Sequence, residues 1–351
     1  MTSIVGVDIG ATGVRAVEVS TSGGSLAVKR AGTQPLPPGT VVGGAVADPV
    51  QVTAALKALW RKSRIKSKQV SLVLGGNQQV LVRTAVVAYL PNPDLLRGLV
   101  AAEAKDALPV ALESVYLDHH VLGVRTETTD TPDGRRSRKV ADVMIIGADR
   151  DVVDAVVKPC EDAGLQVVGI DIAPFALTRM VAAAGADSNR LDFIVHFGAE
   201  TVMLVGTVNG QTKVIRSLNE YAGKSITLQI QDNFDLSLEH AEAVKLEASR
   251  DLEDGMDSDA TNLLNSWISA IVREVRSTMS HAQNGLQLPI GRVWLSGGGA
   301  QLGGLSGRLG AELGVPVNIL DPRAWTTRPD KLRAAFASGQ DLTLALAAAG
   351  K

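Results

Sequence analysis

Two short segments of this 351-residue chain hold residue types suited to phosphate chemistry. Asp8 ends an apolar strand, Ile4-Val5-Gly6-Val7, and the chain then turns through Gly10-Ala11-Thr12-Gly13 into Val14 and Arg15. A strand ending in glycines lets backbone N–H groups approach phosphate oxygens with no Cβ in the way. Asp8 is placed to hold a magnesium ion through water, because Mg2+ keeps much of its hydration and favours carboxylates beside phosphates. Arg15 can reach a phosphate as a charged donor. The pattern then repeats. With Asp8 set over His196, Gly10 falls on Gly198, Ala11 on Ala199, Val14 on Val202 and Val17 on Val205. A third glycine turn, Gly297-Gly298-Gly299, follows the apolar Val293-Trp294-Leu295. For the first turn alone, a plain β-hairpin with an exposed arginine competes with a nucleotide site, and chance likeness competes with duplication. Three such turns after three apolar strands favour a nucleotide gripped from both sides.

The elements that must position these residues are legible in outline. Residues 3–19 read as strand, turn, strand, and Pro35–Gly44, rich in proline and glycine, as loop. Val52, Ala55, Leu56 and Leu59 recur at helical spacing over Pro49–Trp60, and Val70–Leu74 is a buried parallel strand ending at Gly75-Gly76. Residues 80–157 read as a separate module. It has strands at 80–87, a helix over Pro93–Leu108, and strands Val115–Gly123 and Val140–Gly147 joined by a polar, mobile loop, Thr126–Lys139. A helix over Asp151–Ala163 and a strand at Val167–Ile170 follow, with a break at Gly185–Asn189. Residues 222–285 are helical, interrupted by an acidic loop at Asp251–Asp259. After the third glycine turn come a helix over Leu302–Leu313, a strand at Val315–Leu320 and a final helix from about Gln340 to Ala349.

Composition excludes several classes. Lys+Arg number 35 against 37 Asp+Glu, a net charge of −2, and aromatics are 3%, which argues against a nucleic-acid binder. The length gives a prior of two domains and enough core to need no disulfide or metal staple. The single cysteine, Cys160, reads as a buried hydrophobe. The first residues lack a basic segment before the apolar run, unlike a signal peptide, and no apolar stretch has the length of a membrane span. Gly223-Lys224-Ser225 is no P-loop, since its earlier glycine position is Leu218. Gly6, Gly10 and Gly13 lack dinucleotide spacing, and the loop at Asp251–Asp259 lacks calcium-ligand positions. His119 and His120 point to opposite faces of a strand, so no zinc site is read. The run Arg61, Lys62, Arg64, Lys66, Lys68 reads first as favourable charge at a helix C-terminus plus a solvated loop, ahead of a patch for an anionic partner.

Taken together, the hairpins at Asp8–Arg15 and His196–Thr201 and the loop at Ser296–Ala300 resemble the actin/Hsp70/hexokinase superfamily. Within it the chain is similar to the PilM family of type IV pilus assembly. The stretches that carry this are Gly6–Gly10 with Ala16–Val19, Leu108-Pro109 with Leu117-Asp118, Gly164-Leu165 with Asp171–Leu177, Val208–Gln211, and Ser296–Gly299 with Pro316-Val317 and Asp321-Pro322. They span nearly the whole chain in family order.

The resemblance implies an α/β, actin-like (ribonuclease H-like) duplicated fold with a small α+β module inserted in the first half, as in FtsA. Half 1 is expected at 1–79 and 158–188, the module at 80–157, and half 2 at 189–351, with a helical subdomain at about 222–289. It implies ATP with Mg2+ in the cleft. Asp8 would hold the metal, Gly10, Ala11, Thr12, Gly13 and Arg15 the phosphates, and Gly198, Ala199, Glu200 and Thr201 the other phosphate side. Gly297, Gly298 and Gly299 would meet the adenosine, and Lys224 lies where the superfamily often has a nucleotide contact. The implied partner is the N-terminal cytoplasmic tail of a PilN-type inner-membrane protein, bound through the first half and the module, together with other pilus assembly components. The protein is then expected in the cytoplasm, recruited to the inner face of the membrane through that partner.

Two positions depart from the family pattern. The second hairpin opens with His196 in place of aspartate, and Ala173 stands before Pro174 where the family often has glutamate. A neutral imidazole cannot organise magnesium or the attacking water as a carboxylate does. Both losses fall on hydrolysis rather than on phosphate cradling, so binding without efficient turnover is expected. A sugar or small-acid kinase of the same superfamily would need a carboxylate base in the cleft. A nucleotide-free interaction scaffold is the third reading.

Overall fold

The computed structural model describes residues 3–22, 25–75, 80–131, 134–185, 189–332 and 341–350. Gly76, part of the break expected at 185–189, and Gln340 lie outside them. The chain divides into two compact units, Met1–Gly75 with Lys158–Lys351, and Gly76–Val157.

The larger unit holds two five-stranded sheets. The first is built from β1 (Ser3–Gly10), β2 (Gly13–Ser22), β3 (Ser25–Pro35), β6 (Gln69–Leu74) and β10 (Gln166–Ile172), in the order β3-β2-β1-β6-β10. The second uses β11 (Leu191–Phe197), β12 (Val202–Val208), β13 (Gln211–Ser217), β14 (Ile290–Ser296) and β15 (Val317–Ile319), in the order β13-β12-β11-β14-β15. The arrangement is the same twice: an antiparallel three-strand meander whose first strand runs parallel to the next two. Register makes the match residue by residue. Asp8 faces Arg15 on β2 and Val73 on β6, while His196 faces Met203 on β12 and Ser296 on β14. The third strand of each meander, β3 and β13, was not legible, because neither carries a long apolar run. Val41–Val42 (β4), within the segment read as loop, pairs with Ala45–Val46 (β5) just beyond it.

Helix α1 (Pro49–Ser63) starts at Asp48, whose carboxylate accepts from the N–H groups of Val50 and Gln51. Helix α4 (Ala173–Ala183) and a closing helix, α9 (Thr343–Ala349), share one core with strands of both sheets, including Val17, Val19, Ile194, Met203 and Val205. The α9 backbone lies directly on β1. A Cβ at Gly6 would sit 1.8 Å from the Ala345 carbonyl oxygen, so only glycine admits this helix. On the second sheet pack α5 (Gly223–Phe234), α6 (Leu238–Glu253), α7 (Asp259–Leu286) and α8 (Leu305–Leu313). In α7 the buried residues Leu264, Ile268, Ile271, Val275 and Met279 recur at three and four residues, an apolar stripe facing that core. The helix read from Leu302 begins at Leu305, because a short 3-10 turn, Gly298–Gln301, intervenes.

The smaller unit is a three-stranded sheet, β7 (Val80–Ala88), β9 (Gly134–Asp149) and β8 (Val115–Thr131), in the order β7-β9-β8. Helix α2 (Pro93–Ala107) covers one face, setting Leu96, Val100 and Ala104 against Val87, Ala141, Val143 and Ile145. The polar loop expected at Thr126–Lys139 is a correction. Residues 132–133 lie outside the described residues; the others of that segment continue the strands, with Thr126 opposite Lys139 and Glu127 opposite Arg138. Threonines on an open pleat and the Glu127–Arg138 pair at 2.7 Å support a ribbon where hydropathy shows no strand. Helix α3 (Arg150–Asp162) follows, with Cys160 buried near its end, where burial pushes the thiol pKa up to about 12.

Candidate functional site

The first hairpin closes between Gly10 and Gly13, with Ala11 and Thr12 at the turn. Arg15 folds back over it. Its guanidinium donates to the Gly13 carbonyl at 3.2 Å and the Thr12 hydroxyl at 3.0 Å, and pairs with the Asp8 carboxylate at 3.4 Å. A Cβ on Gly10 would come within 3.0 Å of that guanidinium, so the glycine leaves room for the arginine. Burial pushes the Asp8 carboxyl above its ordinary range; Arg15 and His196 pull it back and Asp341 pushes it further up.

The second hairpin closes at the matching positions, the Gly198 N–H donating to the Thr201 carbonyl at 2.8 Å. Here the counterpart of Arg15 is Met203, fully buried in the shared core. His196 is buried too, with Nδ1 3.1 Å from the Ser296 hydroxyl, which in turn donates to Asp341 at 3.3 Å. Burial pushes the imidazole pKa down, against the upward pull of Asp341 and Asp8. The imidazole is therefore neutral at physiological pH.

The N-terminus of α5 closes on this second turn. Gly223 and Lys224 donate their N–H groups to the carbonyls of Gly198 and Ala199, at 3.1 and 2.8 Å. The Lys224 ammonium pairs with Glu200 at 2.6 Å, and the other Glu200 oxygen accepts the Gly43 N–H at 2.7 Å, from the tip between β4 and β5. Glu200 thus ties a loop of the first half to the second.

The third turn has a different logic. Gly297 sits at φ +89°, and a Cβ there would lie 2.1 Å from the Phe197 carbonyl oxygen. At Gly299 it would lie 2.9 Å from the Phe197 Cβ, whereas at Gly298 nothing lies within 4 Å. Two of the three glycines therefore answer to packing against Phe197, and Gly298 presents open backbone.

Residues not singled out in the sequence complete the site. Asp341 accepts the Gly297 N–H at 2.6 Å and the Thr343 N–H at 2.8 Å, as well as the Thr343 hydroxyl, joining the start of α9 to the third turn. Its one sequence signal is an aspartate two residues before a helix start. Lys245 is buried beside Gly223 and donates to Thr227 at 3.0 Å and Glu242 at 2.7 Å. In sequence Glu242 and Lys245 form an ordinary i,i+3 pair, and nothing there signals the burial. Asp171, which the sequence does single out as the acid near Ala173 expected on the same side of the strand, is ion-paired with Arg179, which also donates to the Ala347 carbonyl at 3.2 Å. That carboxylate belongs to the seam between α4 and α9. Ala173 itself is fully buried.

Duplicated sheets opening on paired glycine hairpins define an actin-like α/β fold, and solved structures share it. MreB5 of Spiroplasma citri bound to AMPPNP matches with a TM-score of 0.53 at 14% identity over 96% of each chain. The ethanolamine utilization protein EutJ from Carboxydothermus hydrogenoformans matches with a TM-score of 0.58 at 16% identity, over 99% of this chain and 89% of that one. A PilM-PilN type IV pilus biogenesis complex matches with a TM-score of 0.81 at 26% identity, over 99% of this chain and 97% of that one. Residues 6–348 match the family model of the type IV pilus assembly protein PilM, and the chain belongs to that family. Among the described residues no helix is long and apolar enough to cross a membrane.

Proposed function

We propose that this protein is an ATP-binding scaffold of type IV pilus assembly that holds its nucleotide without turning it over efficiently. The observation that carries the reading is the asymmetry of two hairpins in matching register: one has Asp8 and Arg15 beside its turn, and the other has His196 and Met203 in the same positions. A part-buried carboxylate beside a glycine turn fits a magnesium ion that takes its other ligands from water and phosphate. Asp8 would hold that ion, whose charge offsets the phosphates. Gly10, Ala11, Thr12, Gly13 and Arg15 would cradle one side of the phosphate chain, and Gly198, Ala199, Glu200 and Thr201, with Lys224, the other. Gly298, between Gly297 and Gly299, would offer its backbone to the adenosine. His196 and Ala173 leave no carboxylate at the two positions that would organise the attacking water, which supports slow or absent hydrolysis.

In this reading the N-terminal cytoplasmic tail of a PilN-type membrane protein is the partner. It docks on half 1 (1–79 and 158–188) and the module at 80–157, and half 2 (189–351) completes the nucleotide cleft. The protein would work in the cytoplasm and reach the inner face of the membrane through that tail and other pilus components. ATP at ~100 times its Kd adds about 2.7 kcal/mol of stability, enough to order a cleft for docking. The test is fluorescence anisotropy of a labelled PilN-type tail peptide, with and without ATP and Mg2+, alongside phosphate release. Tail binding with phosphate release at background supports the scaffold. Sustained turnover that rises with an added sugar or small acid would favour the kinase, and tail binding indifferent to ATP would favour the nucleotide-free scaffold.

A further inference from the structure

The basic run after α1 borders a recess. Between α1 and the starts of β6 and β10 lies a cavity of about 310 Å³ walled by Leu56, Trp60, Ile65 and Leu165. This is at the low end of the volumes that hold small ligands. Lys57, Arg61 and Lys68 stand at its rim. It lies away from the nucleotide turns: Gln69 and Gln166 begin their strands here, whereas Asp8 pairs with Val73 near the opposite end of β6.

The Trp60 indole N–H donates to the Ser67 carbonyl at 3.0 Å, and buried Glu18 accepts the N–H groups of Lys66 and Ser67 at 3.4 and 3.3 Å, which pins the turn after the helix. Arg64 ends α1 in the left-handed region at φ 53°. Among the described residues the side chains of Lys57, Arg61 and Lys68 make no ion pair or hydrogen bond, and all three are exposed. Lys62, Arg64 and Lys66 add charge of the same sign, and no acid occurs from Lys57 to Lys68, although the chain as a whole is net acidic. Helix-terminus electrostatics accounts for Arg61 and Lys62 in the last turn of α1. It does not account for cations that continue past the helix around an apolar recess.

The geometry points to a docking site for an acidic protein segment that inserts one large apolar side chain between flanking carboxylates. The recess takes the apolar side chain, and Lys57, Arg61 and Lys68 take the acids. A membrane surface fits less well. Trp60 and Ile65 are only 6% and 7% exposed and line a hollow, whereas lipid insertion needs apolar groups that project. This site is independent of the nucleotide reading and would give the protein a further, charge-selected partner.

The test titrates the full chain with fluorescein-labelled peptides in which one Leu, Phe or Trp is flanked on each side by two Asp or Glu, read by anisotropy at two salt concentrations. Controls are the same peptides with Lys for the acids and with Gly for the apolar residue. Two variants probe the two halves of the claim: R61E/K68E reverses the rim, and A163L fills the recess without changing charge. Saturable binding that both controls lack, that weakens at high salt, and that each variant lowers at least tenfold with an unchanged melting temperature supports the site. Absence of binding, binding that R61E/K68E leaves unchanged, or binding lowered by R61E/K68E but not by A163L would overturn it. So would R61E/K68E-sensitive binding to phosphatidylglycerol vesicles without peptide binding.

Discussion

The two hairpins share backbone, register and neighbours, yet differ in nearly every polar side chain. In the first, Arg15 covers the turn and pairs with Asp8. In the second, Met203 turns into the common core and His196 is held by Ser296, leaving Glu200 and Lys224 as the charged groups at the turn. The cradle of peptide groups depends on glycine and fold and is present twice. The charged side chains differ between the two turns, Asp8 with Arg15 at the first and Glu200 with Lys224 at the second.

The comparison can be broken at several points. The largest effect is expected from Gly297→Val, which forces a β-branched residue to φ +89° with its Cβ 2.1 Å from the Phe197 carbonyl oxygen. A loss of about 3 kcal/mol or more, or failure to fold, is expected in denaturant unfolding. Gly298→Ala, with nothing within 4 Å, should cost less than about 1 kcal/mol, and equal costs would refute the division of roles in that turn.

His196→Asp restores a carboxylate in register with Asp8. With Mg2+ and ATP, phosphate release should rise by roughly 10²-fold, the low end for a positioned acid–base group. An unchanged rate would mean that this position does not limit turnover. Lys224→Ala releases Glu200 from one of its two partners. It should weaken ATP by about 1 kcal/mol, near fivefold in Kd. Tighter binding would show that the Lys224–Glu200 pair blocks the site.

A pH dependence is also expected. His196 titrates below its ordinary pKa in the fold because it is buried, so the unfolded chain takes up the proton first. Its contribution to stability is full above the ordinary histidine pKa and falls as pH drops through it, by less than about 1.4 kcal/mol per pH unit. His196→Asn should flatten that slope in thermal melts between pH 7 and 5.

Much of this was legible in the sequence because it depends on local signals. The hairpin at Asp8–Arg15, the glycine turns and His196 lie in short segments that can be picked out from the sequence. The α7 stripe announces itself by period. The rest depends on contacts distant in sequence. Asp341 reaches Gly297 across more than forty positions, Lys245 is recognisable only once buried beside Gly223, and Gly6 owes its identity to the backbone of α9. The strands β3 and β13, and the far part of the β8–β9 ribbon, are stabilised by partners rather than by their own apolar content, so hydropathy passed over them.

The most direct test of the central claim, a nucleotide held mainly by the first hairpin, is calorimetric titration of the nucleotide-free protein with ATP and Mg2+, beside Asp8→Ala and His196→Ala. Saturable binding that is lost in Asp8→Ala and kept within a few-fold in His196→Ala is predicted. Equal losses in both variants, or no binding by the folded protein at millimolar ATP, would contradict it.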